Sequence, residues 1–311
     1  KTGSAFGSTR RGIAYAYSDK YKKKTLRLGD LLHLDKPHIQ SRLKTMLEYK
    51  NLELGGCYHQ APMSYPALLS WCEKKAEQFA PYITDTGNYI AAALSNHQKV
   101  VLEAQLGAMR DIDYGIFPYT SSSSTISAYG PIGAGIPGTL PDHIVGVLKA
   151  YSTCVGAGPF TAEKAMPEKW MESLRKSGGE YGAATGRPRR VGPFDAVASA
   201  YGLKCQNADK IALTKLDVLS HMDEIPVITS YKLNDEIITE FDPLDDLDSM
   251  TPVIQMLPGW NTDISKCRKY EELPENARKY IETLEHLLNH EIQFISVGAE
   301  RNQYLTKGEW L

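Results

Sequence analysis

Residues 210–217, KIALTKLD, decide how the chain is to be read. Ile211, Ala212 and Leu213 run together without polar interruption, as in a strand buried on both faces of a parallel sheet. Lys215 and Asp217 follow at once. They therefore emerge at the carboxyl end of the strand, where α/β sheets hold their ligands.

Working outward, residues 36–54, 66–80 and 86–96 carry helical spacing, and residues 99–103 (KVVLE) read as a second buried strand. Residues 141–152 repeat the helical spacing through Ile144, Val147, Leu148 and Tyr151. Residues 195–201 predict a helix ended by Gly202. Two β-rich runs within 226–241 flank Leu233-Asn234-Asp235 and predict a hairpin. Residues 274–289 form the clearest amphipathic pattern, with Ala277, Tyr280, Ile281, Leu284 and Leu288 on one face, followed by a strand over 291–297. The acidic stretch PLDDLDSM from Pro243 reads as a solvated loop. This alternation predicts an α/β fold with a mostly parallel central sheet flanked by helices and a small β-hairpin excursion, with no internal domain boundary across 1–311.

Composition narrows the function. The 311 residues carry 35 basic and 37 acidic side chains, a net charge of -2, which gives no electrostatic reason for a nucleic-acid or membrane partner. A composition of 42% hydrophobic and 23% charged residues is that of an ordinary soluble globular protein. Five widely spaced cysteines without a C-x-x-C pair point to reduced thiols and a cytoplasmic setting. The eight histidines form no ligand-spaced set. The opening KTGSAFGSTRRG has no methionine, is not a secretory signal, and reads like the middle of a domain.

Local motifs carry the chemistry. A lysine stem can lie over a purine face, and a carboxylate two residues on can accept from the ring N–H and exocyclic amine of guanine, which adenine does not offer. In YGAATGRPRR (181–190), Gly182 and Gly186 let backbone amides approach a ligand, Thr185 offers a hydroxyl, and Arg187 and Arg189 can fork onto carboxylate or phosphate oxygens. GSTRRG (7–12) is another small-plus-basic loop, with Ser8 and Thr9 suited to phosphate. GAGIPG (133–138) matches G-x-G-x-x-G only literally: no strand precedes it, Pro137 interrupts it and no helix opens at its last glycine. No Walker-type phosphate loop and no G-x-S-x-G occurs.

In this order, GSTRRGIAYAYSDK, LRLGDL, DIDYGIFPYTSSSS, LKAYSTCVGAGPF, YGAATGRPRR, LTKLDVL, MLPGW and SVGAERNQ resemble the adenylosuccinate synthetases. The resemblance implies a P-loop-NTPase-like synthetase fold and GTP-dependent, Mg2+-requiring joining of IMP and L-aspartate. On this likeness IMP is met by Thr9, Lys23, Gln105, Ser121, Val155 and Arg187. Aspartate is met by Ala183, Ala184, Thr185, Gly186, Arg187 and Arg189. GTP is met by Arg189, Lys215, Leu216, Asp217, Ser296, Val297 and Gly298.

Departures stand beside it. Lys23 replaces an arginine that reaches the neighbouring subunit, implying a homodimer. Ungapped comparison puts Leu106, and a local shift Gln105, at the IMP glutamine. Cys154 replaces an arginine and Ser121 a threonine. The family's glycine-rich phosphate loop, catalytic aspartate and histidine, and most Mg2+ ligands are expected in a first quarter not represented here, so the expectation is an inactive chain by itself. The alternatives are a noncatalytic nucleotide-binding remnant and a phage-type synthetase that uses dGMP.

Overall fold

The computed structural model describes residues 11–182 and 186–308, so Thr9, Ala183, Ala184 and Thr185 lie outside the described residues. The chain divides into two compact units, one within 11–102 and 131–138, the other within 103–130 and 139–308.

The first unit is helical: α1 (Ile13–Tyr21), α2 (Pro37–Tyr58), α3 (Tyr65–Phe79) and α4 (Thr86–Ser95). Pro37 opens α2, where its missing N–H costs nothing. Ser64 and Asp85 cap α3 and α4 by accepting from the amides of Ala67 and Asn88. Ile39, Leu43 and Leu47 recur every four residues on α2 and supply the buried stripe. The helix α1 is absent from the sequence reading. Residues 99–103 are a correction: they pair with nothing described, and Val101 is 89% exposed. An apolar extended run becomes a strand only when a neighbouring backbone takes up its N–H and C=O groups. The glycine segment 133–138 ends the short helix α5 (Tyr129–Ala134) and turns away from it.

The second unit carries the sheet. Strands β1 (Val145–Lys149), β5 (Lys210–Thr214) and β9 (Phe294–Ser296) run parallel, and β10 (Tyr304–Thr306) returns antiparallel on β9. Strands β2 (Ser152–Cys154) and β3 (Arg190–Gly192) pair separately. Strand β4 (Phe194–Asp195) lies parallel to β6 (Glu224–Leu233), which also pairs with β7 (Glu236–Ile238) and β8 (Thr251–Pro258). Ile211, Ala212 and Leu213 are buried, as their continuous apolar run requires. One core gathers the sheet with faces of α6 (Glu168–Gly178), α7 (Ala196–Gln206) and α8 (Glu275–Leu288). All five residues of the predicted α8 stripe are buried.

Two further expectations are corrected. Residues 141–152 form β1 and β2 rather than a helix. A Cβ on Gly146 would sit 2.6 Å from Leu203 Cδ2, so its bare backbone lets α7 close onto β1 while pairing with Ile211. Gly202 does not end α7, which continues to Gln206 and stops at left-handed Asn207. Nothing in the structure forces an ending at Gly202, whose amide stays within the helical ladder. The hairpin is present, with Asn234 and Asp235 at φ of 46° and 71°, the two positive values that a two-residue turn of this hand demands.

Candidate active site

The parallel strands β1 and β5 are in register at their carboxyl ends, with Lys149 opposite Thr214. The chain leaves β5 through Lys215, left-handed at φ 61°, into a tight 3-10 turn over Leu216–Leu219. That turn buries Leu216 and leaves Asp217 half-exposed. Lys215 and Asp217 therefore stand where the strand order predicts a ligand.

Lys215 is anchored. Its Nζ donates to Gly178 O at 2.6 Å, at the end of α6. Gly179 ends that helix in the left-handed region, φ 62°, and Glu180 N returns to Arg175 O. Such a glycine cap turns the next side chain inward. Glu180 is accordingly only 1% exposed. Its Oε1 accepts from Lys149 Nζ (2.8 Å) and Tyr151 Oη (2.7 Å), its Oε2 from Arg189 Nη1 (2.9 Å), and Lys215 Nζ lies 3.9 Å from Oε1.

Burial alone would raise the Glu180 pKa, yet the hydrogen bonds from Lys149 and Tyr151 hold it below the usual carboxylate range. Lys149 is lowered, first by burial and further by Arg189 and Lys215, against the pull of Glu180. Asp217 is raised, chiefly by burial, with Asp263 adding repulsion. Asp217 lines an open cleft of about 490 Å³ with Ser177, His221, Asn261, Thr262 and Asp263.

The loop 181–190 is closed by its backbone. Gly182 N donates to Arg187 O, Arg189 N donates to Glu180 O, and Arg175 Nε donates to Arg189 O. The Arg187 side chain is exposed. Arg189 is pinned through Nη1, and its buried Nε finds no partner among the described residues.

A neighbouring loop, 154–160, is clasped by two arginines. Arg110 Nη2 donates to Val155 O (3.0 Å) and to Cys154 Sγ (2.8 Å). Arg190 Nη1 donates to Gly158 O (2.7 Å), while the rest of its guanidinium forks onto Glu163. Val155 is thereby held outward, 62% exposed. Ser121 N donates to Arg110 O, so Ser121 shares this support. Gln105 and Leu106 are both exposed, with Leu106 left-handed at φ 69°. Ser296 Oγ donates to Gly298 O, Val297 is buried, and the Gln303 side-chain amide packs against Gly298. Lys23, in the helical unit, is exposed at φ 59° just beyond α1.

The sequence reading missed Glu180, Lys149, Arg110 and Arg190. Nothing in their spacing sets them apart, although the glycine pair before Glu180 is a signal for an inward cap.

An adenylosuccinate synthetase family profile matches residues 1–305. The chain belongs to the adenylosuccinate synthetase family. It is 41% identical to the adenylosuccinate synthetase of Carboxydothermus hydrogenoformans over 298 residues, which is 96% of this chain and 69% of that one. Against the adenylosuccinate synthetase of Staphylococcus saprophyticus it is 36% identical over 306 residues, 98% of this chain and 71% of the other. The fully ligated adenylosuccinate synthetase of Plasmodium falciparum superposes with a TM-score of 0.87 at 33% identity, covering 97% of this chain and 70% of that one. The cyanophage S-2L succinoaminodeoxyadenylate synthetase superposes with a TM-score of 0.52 at 14% identity, a likeness of fold alone. That family is one of C–N ligases of purine biosynthesis.

Proposed function

We propose that this protein joins IMP and L-aspartate at the expense of GTP, and that the site described above is the aspartate and guanine-nucleotide half of its active site. The supporting observation is the meeting of Arg189, from the loop read as binding aspartate, with Lys215, from the loop read as binding guanine, around Glu180.

In the proposed reaction a base takes the N1 proton of IMP, the γ-phosphoryl group of GTP passes to the 6-oxygen, and GDP departs. The aspartate amine then attacks C6, the C–O bond breaks, and phosphate leaves with the oxygen while the amine gives up a proton. Both steps demand placement and charge neutralisation more than covalent help. Arg187 and Arg189 would neutralise the aspartate carboxylates, with Arg189 also directed at GTP. The Lys215 stem and the Asp217 carboxylate would take the guanine ring, with the turn at Leu216 and the 296–298 segment beside it. Val155 and Ser121, supported by Arg110, would meet IMP together with Gln105 or Leu106; the family likeness adds Thr9 and, reaching the neighbouring subunit's IMP, Lys23. Ala183, Ala184, Thr185 and Gly186 would offer the amino acid backbone and hydroxyl groups.

Mg2+, read as the metal of this reaction, would neutralise phosphate oxygens when bound. Among the described residues no three Asp, Glu, His or Cys side chains converge as a metal site. We read the protein as a cytoplasmic homodimer. The free cysteines and the exposed Lys23 support that reading, and no described helix is long and apolar enough to cross a membrane.

The test is product formation by the full gene product with each substrate omitted in turn. Adenylosuccinate should appear only when IMP, aspartate and GTP are all present. Formation that persists without aspartate or with ATP in place of GTP would overturn the assignment.

A further inference from the structure

The structure assigns Glu180 as the positioning residue that ties the two substrate loops together: one buried carboxylate holds Arg189 by a hydrogen bond and gathers Lys215 and Lys149 beside it. This rests on the ligase reading above and deepens it.

A carboxylate with 1% exposure is costly unless every oxygen is satisfied. Glu180 is satisfied, but by cations from three different places in the chain: the end of β1, the end of β5 and the loop leading into β3. A buried anion that only closed its own helix end would need one partner. Glu180 instead collects Lys149, Arg189 and Lys215, so three cations surround this one carboxylate. That surplus suits a site for anionic ligands.

The geometry also leaves Arg189 something to give. Only Nη1 of its guanidinium is used on Glu180, so the carboxylate sets the direction of the fork without filling it. The backbone of the same loop is held independently, through Arg189 N on Glu180 O and Arg175 on Arg189 O. Replacing the Glu180 carboxylate by an amide therefore leaves the loop path intact, frees the Arg189 fork, and takes from Lys215, still held by Gly178 O, the negative charge 3.9 Å away. Lys149 is lowered first by its own burial, and among its charged neighbours Glu180 is what opposes Arg189 and Lys215.

The experiment is Glu180→Gln in the full gene product, with KM measured for each substrate and the melting temperature recorded. Losing a charge-assisted contact should raise KM for aspartate and for GTP each about tenfold, with KM for IMP changed by less than about twofold. Glu180→Asp, which keeps the charge, should show a smaller rise than Glu180→Gln. A uniform rise in all three KM values, no rise for aspartate and GTP, or an Asp variant no better than Gln would overturn the role.

If Glu180→Gln does not fold, Tyr151→Phe removes one hydrogen bond from the carboxylate and keeps the ring. A rise of about threefold for the same two substrates supports the role, and unchanged values overturn it. A wild type that does not ligate overturns the underlying reading and this role with it. A wild type that ligates, with a Glu180→Gln variant of unchanged KM values, overturns only the positioning role.

Discussion

Tyr231 Oη lies 2.8 and 2.7 Å from the two carboxylate oxygens of Asp195, and both side chains are buried. Asp195 also caps α7 by accepting from Ala198 N, so one carboxylate joins β4, α7 and β6. Burial pushes its pKa up to about 6, despite hydrogen bonds that favour the charged form. Because the folded value exceeds the unfolded one, the folded state holds the extra proton between about pH 4 and 6, and stability falls as pH rises through that window. The full penalty, about 3 kcal/mol, then persists at neutral pH. Asn keeps an acceptor for the cap and avoids the charge. The melting-temperature difference between Asp195→Asn and wild type should therefore grow in favour of Asn from pH 4 to pH 7. A difference independent of pH would remove the assignment.

Asp217 stands half-buried at the turn after β5, beside the cleft that also contains Asp263. Asp217→Asn should cost GTP use about ten- to a hundredfold in kcat/KM, because an amide cannot accept from both guanine donors. Competition between GTP and other purine triphosphates checks it. Undiminished guanine preference would refute the base-reading role.

Arg187 presents an exposed side chain, and its carbonyl closes the loop onto Gly182 N. Arg187→Leu keeps that backbone contact, so the melting temperature should hold within a few degrees. KM for aspartate should rise about tenfold or more while KM for GTP changes little, as expected when a charged hydrogen bond to one substrate is lost. Equal effects on both substrates would count against it.

Gly259 has the least room of any glycine near the core of the second unit. An added Cβ would fall 1.7 Å from Met222 O, and Gly259 N already donates to Asp223 O at 2.7 Å. Gly259→Ala must therefore move backbone, at a cost of about 3 kcal/mol or more. Chemical denaturation measures this. A variant as stable as wild type would show that the two segments can separate without loss.

The elements legible in the sequence were those whose burial is written in local periodicity. The α8 stripe and the KIALT strand were placed because each residue's environment follows from its own neighbours in the chain. Residues 141–152 were read as a helix because Ile144, Val147, Leu148 and Tyr151 fit a 3.6-residue period. The pairing of β1 with β5, and the closeness of Leu203 to Gly146, decided otherwise. Residues 99–103 failed in the opposite sense, an apolar run without a paired neighbour.

The site divides in the same way. Lys215, Asp217, Arg187 and Arg189 could be named from the chain alone, because side-chain chemistry and adjacency to a strand end or a glycine-rich loop are local properties. By itself the sequence determined the family and the α/β class. Only the tertiary structure decided that Arg189, Lys149 and Lys215 share Glu180, and that Arg110 and Arg190 clasp the Val155 loop. Those pairings join residues 9 to 45 positions apart, and charge meets charge across such gaps only after the sheet has brought its strand ends together.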